Sequence, residues 1–166
     1  MPLLVEQSQI VQGVVPVDLA AGANDGDWVS LKGYGRCAVI VQKAVGVAAQ
    51  DPTLTMEQAT AVAGTGAKAL TFERIDVKQA VDILTIGQFT KVTQAAAATY
   101  TEGTSGESQA VWVVEFNAED LDVEGGFDCL RARIADPGAT AQLGSILYVL
   151  LDPVYSGAAP ISAIVD

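Results

Sequence analysis

The side chains that could do chemistry in this chain are mostly carboxylates: 20 Asp and Glu stand against 9 Lys and Arg, with no histidine. Without histidine the commonest general base and the commonest metal ligand are missing. Serine therefore has no imidazole to activate it, and no G-x-S-x-G elbow presents one. The two cysteines, Cys37 and Cys129, lie in separate apolar segments and form no C-x-x-C pair. That spacing fits neither a zinc site nor a redox motif and is expected of buried core thiols. Gly64-Thr65-Gly66-Ala67-Lys68 has the composition of a phosphate loop. It lacks the G-x-x-x-x-G-K-[ST] spacing, and strand-like rather than helical sequence follows it, so a tight turn is expected.

Two acidic groups remain. Glu119, Asp120, Asp122 and Glu124 are interleaved with Leu121 and Val123, which does not match a calcium loop. Asn24, Asp25 and Asp27 fall in a glycine-rich turn, where such residues cap the backbone. A carboxylate pair for glycoside hydrolysis would need two acids singled out by position, and nothing singles them out. Trp28, Trp112 and the four tyrosines could line a sugar-binding face, although aromatics make up only 6% of the chain. The expectation is a protein without catalytic residues, metal or cofactor.

Positioning such residues falls to strands. Ala110–Phe116 alternates cleanly, with Trp112, Val114 and Phe116 on one face and Val111 and Val113 on the other. Arg36–Val45 is apolar on both faces, which predicts a central strand covered by other structure on each side, and Ser145–Leu151 is a last, doubly apolar strand. Leu70 and Phe72 are out of phase with Ile75 and Val77, the signature of a bulge or bend. Thr53–Val62 reads as strand, although Met56-Glu57-Gln58-Ala59 are good helix formers. Thr93–Gln109 is rich in Ala, Thr, Gly and Ser without a period and reads as a long excursion. In all, about eight strands at spacings of roughly 10 to 20 residues, broken by Gly and Pro, predict an all-β fold. A β-sandwich, with a jelly roll as its expected form, accommodates them.

Three segments follow: an N-terminal arm or edge strand over 1–20, a β-sandwich domain over 21–155, and a C-terminal tail over 156–166. Met1 is followed by Pro2 with no basic stretch, so no secretory signal is expected. No apolar run approaches the length of about 20 residues needed to cross a bilayer, so no membrane partner is expected. A net charge of −11, with no Lys/Arg cluster, excludes nucleic acid as the expected partner.

Four blocks add a resemblance. Asp27-Trp28-Val29-Ser30-Leu31-Lys32-Gly33-Tyr34 and the stretch from Gln58-Ala59-Thr60 to Gly64-Thr65-Gly66-Ala67-Lys68-Ala69-Leu70 resemble small structural proteins of tailed bacteriophages. So do Gly126-Phe127-Asp128-Cys129-Leu130-Arg131 and Gln142-Leu143-Gly144-Ser145-Ile146-Leu147-Tyr148. The family resembled is that of capsid decoration, or cement, proteins. It implies a non-enzymatic virion protein on the outer surface of the capsid, made in the host cytoplasm. Its implied partners are the major capsid protein, met at capsomer junctions, and further copies of itself as a dimer or trimer. A head-fibre base or tail component is the alternative within the virion, and a carbohydrate-binding β-sandwich the alternative outside it. For a cement role the apolar arm is the candidate partner-binding segment: Leu3, Leu4, Val5, Ile10, Val11, Val14 and Val15. An ordinary first strand of the sandwich is the competing reading of the same residues.

Overall fold

A computed structural model describes residues 3–154 and 162–164. Met1, Pro2 and most of the segment expected as a C-terminal tail lie outside the described residues. Among the described residues one α-helical turn, α1 (Leu4–Gln7), leads into twelve strands. These are β1 (Ser8–Asp18), β2 (Asn24–Asp25), β3 (Val29–Ser30), β4 (Tyr34–Lys43), β5 (Thr53–Ala59) and β6 (Lys68–Ala69). β7 (Phe72–Ala80), β8 (Thr90–Ala97), β9 (Thr99–Thr101), β10 (Gln109–Asn117), β11 (Cys129–Ile134) and β12 (Leu143–Pro153) follow.

They form two antiparallel sheets. The larger runs β1-β12-β4-β10-β7-β8, and the smaller runs β2-β11-β5-β6, with β3 also beside β11 and β9 also beside β5. Along the chain, β1, β4, β10 and β12 fall in one sheet and β2/β3, β5, β9 and β11 in the other. Strand orders 1-12-4-10 and 2/3-11-5-9 are the two interleaved Greek keys of a jelly roll. One insertion departs from that plan. Between β5 and β9 the chain makes the β7–β8 hairpin, which adds to the larger sheet alongside β10.

Side chains alternate between core and surface as strand geometry requires. Cys37, Val39 and Val41 of β4, Trp112, Val114 and Phe116 of β10, and Ile146, Tyr148 and Leu150 of β12 face inward and are almost fully buried. Leu54 and Met56 of β5 and Leu130, Ala132 and Ile134 of β11 meet them from the smaller sheet. Trp112 and Tyr100 pack edge to face at 5.3 Å, as do Phe72 and Phe116 at 6.2 Å. Both cysteines are buried, one in each sheet.

Some local expectations hold and others change. β5 is a strand despite its helix formers, because its even residues Leu54 and Met56 fill the core. The stretch 93–109 is no simple excursion: the end of β8, all of β9 and the start of β10 lie in it. The phase switch near Phe72 coincides with a register shift between Phe72 and Arg74 against β8. β4 and β12 are central strands, but no strand lies over their outer face among the described residues.

Candidate docking surface

Of the two acidic groups, Asn24, Asp25, Asp120 and Asp122 are engaged within the fold. Asp25 meets Arg133 at 2.5 Å, and the Asn24 side chain donates to the carbonyls of Leu19 and Gly22. Asp120 accepts the amide hydrogen of Asn117 at 2.6 Å. Asp122 pairs with Lys68 and accepts from the Gly125 amide, and those two bonds hold its carboxyl below the usual range. The glycine-rich segment before Lys68 is a turn in which Thr60 N–H donates to Thr65 O at 3.0 Å and Gly64 and Gly66 have positive φ. Lys68 then sits 3.9 Å from the centre of the Phe127 ring.

The outer faces of the two sheets differ in chemistry. On the smaller sheet, Glu57 of β5 pairs with Arg131 at 2.6 Å and Arg133 at 3.3 Å, both on β11. Arg131 also lies 4.7 Å from the Trp28 ring. This face is polar and its charges are mutually satisfied. On the larger sheet the outward residues of the central strands include an apolar cluster, with Gln42 and Ser145 toward one end and Glu115 toward the other. The register sets Leu147 beside Ile40 and Ile40 beside Val113, and Ile10 beside Val149. All five are half-buried or exposed, with Ile10 at 45%. Charge surrounds this cluster: Arg36 sits between Glu115 (3.2 Å) and Asp152 (2.8 Å), Arg74 pairs with Asp76 (3.0 Å), and β7 sets Asp76 beside Val113 and Lys78 beside Val111.

The sequence-predicted arm divides on this face. Ser8–Asp18 is an edge strand paired with β12, bulged between Gln12 and Val14 and again between Val14 and Val17. Val14 is buried and Val11 packs against the core, so these two hold the strand to the sandwich. Ile10 and Val15 point outward, and Leu3, Leu4 and Val5 of the helical turn are exposed. That turn abuts β12, which carries Leu147 and Val149. Its Leu3 N–H and Glu6 carboxylate close on each other at 2.7 Å.

At the other end of the face lies an open trough of about 490 Å³, walled by Pro16, Ile83, Ala110, Val111, Leu143 and Gln109. Beneath it, the Lys43 ammonium turns inward and is bound by the Ser105 and Ser108 carbonyls. Burial lowers its pKa to about 8, against the nearby charges of Asp51 and Glu107. Sequence reasoning did not find Ile40, Val111, Val113, Leu147 and Val149 as surface residues. The available signal was apolarity on both sides of β4, β10 and β12; on β4 it predicts a covering layer, and on β10 it marks only the second face of an alternating strand. No protein-family model matches the chain, and no curated protein matches it. Among solved structures it is similar to the crystal structure of SPBc2 prophage-derived protein YomS. The two share 6% sequence identity over 87% of this chain and 93% of that one, with a TM-score of 0.47.

Proposed function

We propose that this chain is a non-enzymatic virion structural protein that docks on the outside of a phage capsid at capsomer junctions and stabilises the shell. The observation that carries the docking part is the apolar cluster on the outer face of the larger sheet, continuous with the exposed Leu3–Val5 turn. A contiguous apolar patch rimmed by charge is the usual mark of a protein interface. The phage assignment rests on the sequence blocks that resemble decoration proteins. The proposed partners are the major capsid protein and further copies of this chain. The absence of enzymatic activity is part of the proposal, supported by the missing histidine and by the commitment of several carboxylates, Asp25, Glu57 and Asp120 among them, to ion pairs and turns.

The test adds purified protein to shells stripped of their accessory proteins. Saturable binding and raised heat resistance of the shells are expected. Ile40→Glu with Leu147→Glu, and separately Ile10→Glu with Val15→Glu, should abolish binding while circular dichroism stays unchanged. No saturable binding by the native chain would sink the proposal. Full binding by both folded variants would move the contact off this face.

A further inference from the structure

The inserted β7–β8 hairpin carries a second apolar surface, next to the trough at the end of the sheet face away from the Leu3–Val5 turn. Its connecting loop, 81–89, exposes three large apolar side chains at one tip: Val81, Leu84 and Phe89. Leu84 is 92% exposed, more than any other large apolar residue described. The loop is nevertheless a fixed shape. Asp82 accepts from the Leu84 amide at 3.1 Å, and Thr85 donates its hydroxyl to Asp82 O at 2.7 Å. Ile83 N–H donates to the Gln109 side chain at 3.2 Å, pinning the tip to β10. Lys78 closes over Phe89 at 4.8 Å. A leucine held in solvent by a capped turn is preorganised for insertion, because little conformational freedom is left to lose.

A hole stands next to this knob. Ile83 lines the apolar trough, so Leu84 and the trough adjoin in one molecule. A two-fold axis between them lets each copy seat its leucine in the trough of the other, which is how a surface becomes self-complementary. The adjoining knob and trough point to a second copy as the occupant, and charge favours the orientation in which they meet. Copies carrying −11 each repel, so they meet most easily where acids are fewest. Residues 77–101 hold two lysines, Lys78 and Lys91, against one acid, Asp82. No Asp or Glu lines the trough. We infer that this chain forms a two-fold dimer in which Leu84 of each copy occupies the trough walled by Pro16, Val111 and Leu143 of the other.

The test is sedimentation velocity on the full chain across micromolar to near-millimolar concentrations, in the absence of any shell. A concentration-dependent dimer is expected. Leu84→Asp should raise its dissociation constant at least tenfold with an unchanged melting temperature, since Leu84 makes no core contact. Leu143→Asp, at 61% exposure on the trough wall, should do the same. A Leu84→Cys, Leu143→Cys double variant should yield an intermolecular disulfide on mild oxidation. A native chain that stays monomeric would overturn the inference, even if Leu84→Asp lost shell binding, because the knob would then serve another partner. A dimer indifferent to both aspartates, or sensitive to Leu84→Asp alone, would overturn the pairing of knob and trough.

Discussion

Tyr148 reaches across the sandwich from β12, and its oxygen accepts the amide hydrogen of Ala132 on β11 at 2.9 Å. The ring has room only because position 13 is glycine: a Cβ there would stand 2.6 Å from the ring. Gly26 completes the node by donating to Ala132 O at 3.0 Å. Tyr148→Phe leaves a buried amide without a partner and should cost about 1–3 kcal/mol at pH 7 by urea unfolding. Burial also pushes the Tyr148 phenol well above its ordinary pKa of 10. Its folded-state value exceeds the unfolded one, so the contribution is complete below pH 10 and declines as pH rises beyond it. The gap between native and variant stabilities should therefore narrow above pH 10; a constant gap would refute the burial argument. None of this is legible in sequence. Tyr148 could be placed on a strand, but its partner lies 16 residues away on another sheet, reached only through the fold.

Strand β1 shows how one segment can be both arm and core. Leu3, Leu4 and Val5 touch little, while Val14 is buried and β1 covers the flank of β12 along most of its length. Removing residues 1–7 should leave the urea midpoint nearly unchanged, since exposed positions contribute within about 0.5 kcal/mol. Removing residues 1–17 should strip a ladder from β12 and destabilise the protein severely, with loss of cooperative unfolding. A folded 18–166 fragment would return β1 to the status of a detachable arm. The cues to its edge position were present: Gly13 at the first register shift and Pro16, which has no N–H to give a ladder, at the second. β8 and β9 had no such cues. Their alanines and threonines show no alternation, and they are strands because β7 and β5 offer them partners.

At the scale of the whole molecule, the class of fold was legible because alternation and turn chemistry are local. The order of strands was not, because a jelly roll pairs segments far apart in the chain: β1 with β12, β4 with both β10 and β12. The apolar outer face was misassigned for the same reason, since periodicity reports that a face is apolar and not what covers it. The acidic charge is likewise a property of the whole. Repulsion between copies carrying −11 is screened as ionic strength rises, with a Debye length of about 10 Å at 0.1 M. Association through the acid-free trough should therefore tighten severalfold between low salt and about 0.3 M salt. Weaker association in salt would mean that ion pairs, not apolar surface, hold the copies together.

The antiparallel pairing of β1 with β12 places Ser8 opposite Leu151 and Asp18 opposite Leu143. The outer ends of the first and last strands thus meet at one corner of the larger sheet. Tension applied between those ends would peel the ladder open one bond at a time, at low force. Tension entering through the broad face of the sheet would load many bonds in parallel. Docked by that face, as proposed above, the protein would be mechanically strong; pulled by its ends it would be weak.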